Sequence, residues 1–315
     1  MKFVNHQLFF NHIMFQLKAS VVFSESRTTT AFNFKQAQNR ILLCDEPLRS
    51  TTGEGMENTA IDTKDIKENA MMAIVPTVAL ICAAGSGSRT GSPLPKQYRN
   101  LNGVPMLAHA IKALFNSACV QQVVVVVSPQ DAWYDVLIAP LVGDAVQVLR
   151  VGGATRAQSV CNALDVLDAQ YDEAWVMVHD AARPCITPAL VEALHDGVLQ
   201  HSAVGGVLAM PVVDTIKLSD DGVLAKKTLD RKKLWAAQTP QMFKLDVLYN
   251  ALSDALVDEH VAAGITDEAS VMEWAGVSPL LVEGHVSNLK VTFAHDFELA
   301  EFWLQRASQS GQTLA

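Results

Sequence analysis

From residue 78 onward the apolar positions fall into two alternating rhythms. Residues 78–83 form a short apolar run that reads as a strand. Residues 104–115 then place Val104, Leu107, Ala108, Ile111 and Leu114 at helical spacing. Residues 123–127 are all valine, the β-branched run of a strand buried on both faces. The same alternation predicts a helix over 130–139, a strand over 145–149, a helix over 155–167, a strand over 174–178, a helix over 188–199 and a strand over 203–210. Repeated strand–helix units make a parallel sheet covered by helices. The expected class is therefore α/β, a Rossmann-like, mostly parallel sheet flanked by helices.

After Pro211 the rhythm changes. Residues 212–218 and 223–229 flank a turn at Asp220, Asp221 and Gly222, which reads as a β-hairpin. Its faces carry too many charges for a buried place, so it is expected to project as an arm (about 212–231). Helices over 247–256, 268–274 and 295–305, and a strand over 280–283, complete the pattern. Residues 1–72 lack any sustained period of 3.6 or 2 and are set apart from the domain at 73–315. They are expected to be a disordered extension, or a start placed too early, with Met71 or Met72 the true first residue.

The chain has 315 residues and a net charge of −9, which argues against non-specific nucleic-acid binding. Cations for an anionic ligand must then be gathered locally. Cys44, Cys82, Cys119, Cys161 and Cys185 show no C-x-x-C spacing, as expected of a reducing, cytoplasmic setting. Cys82 lies in an apolar strand and is expected to pack. No stretch approaches the length of a membrane span.

The first strand runs straight into a loop holding Gly85, Gly87, Arg89 and Lys96. Glycines let backbone N–H groups approach an anion, and Arg and Lys add fixed positive charge, which suits a polyphosphate. In α/β sheets ligands sit at such strand ends. Thr90 stands where a dinucleotide G-x-G-x-x-G needs its third glycine, and Pro95 precedes Lys96 where a P-loop needs glycine. What remains is an extended cationic loop able to wrap a triphosphate.

Two further motifs carry candidate chemistry. Gly152-Gly-Ala-Thr-Arg-Ala-Gln-Ser159 is a second glycine turn opening a helix. Arg156 in that first turn opposes the helix dipole, so it calls for an anionic or acceptor partner. Val178-His-Asp-Ala-Ala-Arg-Pro184 follows directly on a strand. There Asp180 is placed either to hold Mg²⁺, directly or through water, or to serve as a turn or cap, while Arg183 can grip a phosphate. His179 is expected to take no acid–base part.

Ala83-Ala-Gly-Ser-Gly-Ser-Arg89 followed by Pro95-Lys-Gln-Tyr98 resembles the signature loop of nucleotidyltransferases that activate sugar and polyol phosphates. With the two motifs above, the chain from about residue 78 to 306 is most similar to the 2-C-methyl-D-erythritol 4-phosphate cytidylyltransferase family. The resemblance implies the nucleotidyltransferase fold, with a homodimer built through the hairpin arm. It implies that Arg89 and Lys96 are catalytic and that CTP meets Ala83, Ala84, Gly85, Ser86, Gly87, Ser88, Arg89, Lys96, Gly153, Ala154, Arg156, Ser159, Asp180 and Ala181. It assigns the substrate phosphate and polyol to Arg183, Thr215, Arg231, Thr239, Thr266 and Lys290, and Mg²⁺ to Asp180. Thr215 and Arg231 would reach from one subunit into the other's site. Read without the resemblance, Arg231 is a solvated cross-strand charge and Thr266 a helix N-cap.

The implied reaction joins CTP and 2-C-methyl-D-erythritol 4-phosphate by attack of the substrate phosphate on the α-phosphorus, releasing pyrophosphate. Ribitol-5-phosphate cytidylyltransferase is the sister alternative, since it shares the loop. A Rossmann dehydrogenase binding NAD(P) would need an acid ending the second strand, where Ser128 and Pro129 stand. A non-catalytic nucleotide-binding module is the remaining alternative.

Overall fold

The computed structural model describes residues 75–85 and 94–310. The N-terminal stretch assigned above to 1–72 and the loop residues 86–93 lie outside them.

Strand β1 (Thr77–Cys82) is apolar on both faces because both are covered. A 3₁₀ turn at Lys96–Tyr98 and a two-residue pair, β2 (Asn100–Leu101) and β3 (Val104–Pro105), lead into α1 (Met106–Phe115). Then come β4 (Gln122–Val126), the short helices α2 (Tyr134–Leu137) and α3 (Ala139–Val142), β5 (Val146–Leu149) and α4 (Arg156–Asp168). Strand β6 (Trp175–Asp180), α5 (Pro188–Gln200) and β7 (Gly205–Pro211) follow. The arm holds β8 (Lys217–Leu218) and β9 (Lys227–Thr228). The chain returns through β10 (Trp235–Lys244), α6 (Leu245–Val257), α7 (Glu259–Gly264), α8 (Glu268–Trp274), β11 (Leu280–Glu283) and α9 (Ala294–Ser310).

The main sheet has seven strands in the order β11-β7-β10-β6-β1-β4-β5. All run parallel except β10, which pairs antiparallel with both β6 and β7. From β1 the chain winds outward through β4 and β5, then crosses back to β6 on the other side of β1. The winding reverses between β1 and β6, and such a switch point opens a crevice at the carboxyl ends of the strands. Cys82 and Asp180, the last residues of the two strands, are register partners there. One face of the sheet packs Val78, Leu80, Val124, Val126, Val176 and Val178 against Leu164 and Leu167 of α4 and Leu248 and Leu252 of α6.

The structure revises several expectations. Residues 130–139 do not form one helix: the Asp131 carboxylate accepts the Trp133 and Tyr134 N–H groups at the start of α2, and Pro140 restarts the chain as α3. The arm is real but pairs only Lys217 with Thr228 and Leu218 with Lys227, less than the expected seven-residue strands. Strand β10 was not expected at all. Among the described residues Cys82, Cys119, Cys161 and Cys185 are free, and no helix is long and apolar enough to cross a membrane.

Candidate active site

Asp180 ends β6, and its side chain is 9 % exposed. Arg156, in the first turn of α4, donates from Nε to Asp180 Oδ1 at 2.9 Å. Lys290 Nζ lies 2.7 Å from Asp180 Oδ2. Burial by itself would raise the Asp180 carboxyl, but Arg156 and Lys290 outweigh it and hold the group well below the usual carboxylate range. It is ionised at any pH near neutrality.

Arg156 meets a second acid. Its Nη1 and Nη2 donate to the two carboxylate oxygens of Glu268 at 2.6 and 3.0 Å. Burial works against the guanidinium, yet Glu268 and Asp180 keep it firmly charged. The partner that the helix dipole demanded is thus a pair of protein carboxylates. Glu268 escaped the sequence reading because an acid in the first turn of a helix is already accounted for by the dipole.

Arg183 is also buried. It donates from Nη1 to the Asn288 carbonyl at 2.6 Å and from Nη2 to the Ala237 carbonyl at 3.3 Å, while its Nε has no partner within the protein. Its Nε is thus a buried donor left unsatisfied within the protein, on a side chain that borders the cleft. His179 points the other way, into the core. Its Nε2 meets the Arg183 carbonyl at 3.1 Å, so that nitrogen carries the proton and Nδ1 accepts from the Thr239 hydroxyl at 3.1 Å. Burial pushes His179 down to about 4, leaving it neutral. This geometry gives His179 a structural role and agrees with the expectation that it is no acid–base group.

Thr239 reaches this place because β10 carries it antiparallel beside β6, where its hydroxyl also accepts the Asp180 N–H at 3.0 Å. Arg156, Asp180, Arg183, Thr239, Thr266 and Lys290 together line a cleft of about 150 Å³, with Gln238, Gln241 and Asp267. Thr266 is not the N-cap of α8: Asp267 takes that place in a reciprocal pair with Ser270, which leaves Thr266 exposed at the cleft.

The side to which the sequence resemblance assigns the nucleotide is built from two adjoining turns. Gln97, buried under the loop, donates to the Ala83 and Gly85 carbonyls at 2.9 and 2.8 Å and fixes the exit of β1. Ala84 lies against the second turn so closely that a Cβ on Gly152 would stand 2.5 Å from the Ala84 Cβ. In that turn Gly153 N–H donates to Ser159 Oγ and the Ser159 hydroxyl donates to the Thr155 carbonyl. Thr155 caps α4, and Ala154 is exposed beside it. Ala181 continues from Asp180, its N–H bonded to the Cys82 carbonyl at 3.3 Å. Burial pushes the Cys82 thiol up to about 12, in keeping with a packing role.

Other expected residues stand apart. Lys96 donates to the Val291 carbonyl at 2.9 Å, on the segment that also carries Lys290. Ser86, Gly87, Ser88 and Arg89 lie outside the described residues. Thr215 and Arg231 are exposed on the arm, do not line the cleft of their own chain, and Arg231 is bonded to the Val213 carbonyl. Among the described residues no three His, Cys, Asp or Glu side chains cluster as a metal cage. Asp180 is an ionised carboxylate lining the cleft, the type of group that holds Mg²⁺ together with water and a ligand's phosphates, and Arg156 and Lys290 engage its two oxygens here.

Residues 77–306 match the model of the IspD family, 2-C-methyl-D-erythritol 4-phosphate cytidylyltransferase. A protein of that name from Chromobacterium violaceum is 50 % identical over 224 residues, covering 71 % of this chain and 95 % of the relative. One from Nitrosomonas eutropha is 46 % identical over 236 residues, covering 74 % and 98 %. The crystal structure of the Francisella tularensis 2-C-methyl-D-erythritol 4-phosphate cytidylyltransferase superposes with a TM-score of 0.62 at 32 % identity, covering 72 % of this chain and 99 % of that one. A crystal structure of 4-diphosphocytidyl-2C-methyl-D-erythritol synthase gives a TM-score of 0.61 at 36 % identity, with 73 % and 99 % covered.

Proposed function

The chain belongs to the 2-C-methyl-D-erythritol 4-phosphate cytidylyltransferase family, and from that premise we propose how its residues carry out the reaction. It is a nucleotidyltransferase that joins CTP to 2-C-methyl-D-erythritol 4-phosphate and releases pyrophosphate. Family membership sets aside the dehydrogenase and binding-module alternatives and disfavours ribitol 5-phosphate as acceptor.

A phosphate monoester has its second pKa near 6, so it is largely a dianion at neutral pH and needs no general base. One of its oxygens attacks the α-phosphorus of CTP. The bond from that phosphorus to the bridging oxygen breaks, and pyrophosphate departs with the electron pair. The difficulty is electrostatic, since two anions must meet. In our reading Arg183, which lines the cleft, and Lys290, whose side chain is 47 % exposed, meet the substrate phosphate. Arg89 and Lys96 meet the triphosphate, Lys96 leaving the Val291 carbonyl to do so. Ala83 to Gly85 and the turn at 152–159 bind the nucleotide. Asp180 would hold Mg²⁺, which when bound offsets phosphate charge. Thr239 and Thr266 contact the polyol.

Thr215 and Arg231 serve the neighbouring subunit. The exposed arm, with the apolar Val223 and Leu224 near its tip 82 % and 72 % exposed, supports a homodimer. The reaction is assigned to the cytoplasm, where free cysteines persist.

The observation that carries the proposal is the placement of Asp180, with its cations, beside the exit of β1 at the reversal of the sheet. Pyrophosphate release from CTP is the test, with 2-C-methyl-D-erythritol 4-phosphate and ribitol 5-phosphate in parallel. Release with the first alone is expected. Release only with ribitol 5-phosphate, or with neither, would refute it.

A further inference from the structure

Glu268 takes no part in the chemistry just described, yet it is 2 % exposed beside the cleft. Its two oxygens hold both terminal nitrogens of Arg156, which leaves Nε to meet Asp180. A guanidinium is a rigid planar fork, so fixing its open end fixes the direction of Nε. Asp180 in turn holds Lys290, so negative and positive groups alternate along Glu268, Arg156, Asp180 and Lys290.

A place in the first turn suits the helix dipole, but neither capping nor stability accounts for the pairing of Glu268 with Arg156. Capping of α8 is already done by Asp267. For stability alone, apolar side chains of similar volume serve as well as a buried ion pair. We propose that Glu268 is a positioning residue: it turns Arg156 so that Nε faces Asp180, and thereby orients the carboxylate that addresses the reacting phosphates. The backbone supports that role, because Gln241 of β10 accepts the Ala269 N–H at 2.7 Å and pins the start of α8 to the sheet. The proposal rests on the cytidylyl-transfer reaction above and adds a residue to it.

The test compares wild type, Glu268→Gln, Arg156→Gln and the double variant by pyrophosphate release, with kcat and both KM values, alongside thermal unfolding. Glu268→Gln is expected to lower kcat about 10–100-fold, as loss of an outer partner of a ligand side chain does, with KM for CTP little changed. The double variant is expected to be no slower than the slower single variant, since both act through one unit. Wild-type kcat in a folded Glu268→Gln protein, or a double variant losing the product of the two single losses, overturns the proposal. Should Glu268→Gln fail to fold, Glu268→Asp keeps the charge but shortens the reach. It is then expected to lower kcat, and an unchanged kcat overturns the proposal. A silent wild type removes the transfer reaction and the proposal with it, whereas an active wild type with unaffected variants removes the proposal alone.

Discussion

Thr239 Oγ1 and His179 Nδ1 lie 3.1 Å apart inside the protein, with the threonine donating to the ring while it accepts the Asp180 N–H. A protonated His179 would force the Thr239 hydroxyl to turn its hydrogen away and would carry charge in the core. The folded value near 4 lies below the ordinary 6.5, so the unfolded chain binds the extra proton between those limits. This contribution to stability is complete above about pH 6.5 and falls by about 3 kcal/mol as the pH drops towards 4. Asp180, with its carboxyl held below the ordinary value of 3.8, loses its contribution only at lower pH. Thermal unfolding from pH 8 to 4.5 should therefore be steeper for wild type than for His179→Gln. Equal slopes would contradict the buried neutral imidazole.

Asp180→Asn keeps an acceptor but removes the charge that Arg156 and Lys290 share. It should lower kcat by about two orders of magnitude, the usual cost of losing one preorganised electrostatic group. The partners left behind should cost of the order of 2 kcal/mol of stability. Steady-state kinetics and urea unfolding measure the two effects separately.

Gln97→Ala removes one side chain that ties two loop carbonyls. The loss of these buried bonds should loosen the Ala83–Gly85 turn and weaken CTP binding about tenfold, equivalent to about 1.4 kcal/mol. Calorimetric titration of CTP in the absence of the second substrate checks this, and an unaltered affinity would mean that the loop is held by other contacts.

Gly152→Ala should destabilise the protein by about 1–3 kcal/mol, as overpacking does, because the added methyl would also stand 2.9 Å from the Val127 carbonyl. Gly85→Ala meets nothing within 4 Å and should leave the midpoint of unfolding nearly unchanged. Thermal melts of the pair separate crowding from a general intolerance of substitution.

Val223→Asp combined with Leu224→Asp places two charges on the exposed tip of the arm. Sedimentation velocity should show a dimer for wild type and a monomer for the variant, with activity falling in parallel through loss of Thr215 and Arg231 from the partner site. A variant that remains dimeric and active would assign the interface elsewhere.

Much of the scaffold was legible because its message is local. The valines of β4 and the apolar run of β1 describe strands covered on both faces, and the spacing in α1 describes a helix. Strand β10 was illegible for the opposite reason. Gln238, Thr239 and Gln241 are buried polar residues whose partners, among them Asn288, the Asp180 N–H and Asp267, are remote in sequence. Pro240 sits where the pairing with β7 shifts register, a place where a missing donor is tolerated. In the site, Arg156, Asp180 and Arg183 stood out as charges in motifs, whereas Glu268 and Gln97 act through pairings that only the fold creates.

The alternating chain of Glu268, Arg156, Asp180 and Lys290 has a consequence for synthesis on the ribosome. Arg156 and Asp180 are made early and lie close in sequence, but Glu268 follows Arg156 by 112 residues and Lys290 comes later still. A nascent chain exposing only the first strand–helix units holds a guanidinium and a carboxylate with half of their partners unmade. Because β10, α8 and the segment bearing Lys290 come late in the chain, the distant contacts that close the site form after the strand–helix units that carry Arg156 and Asp180.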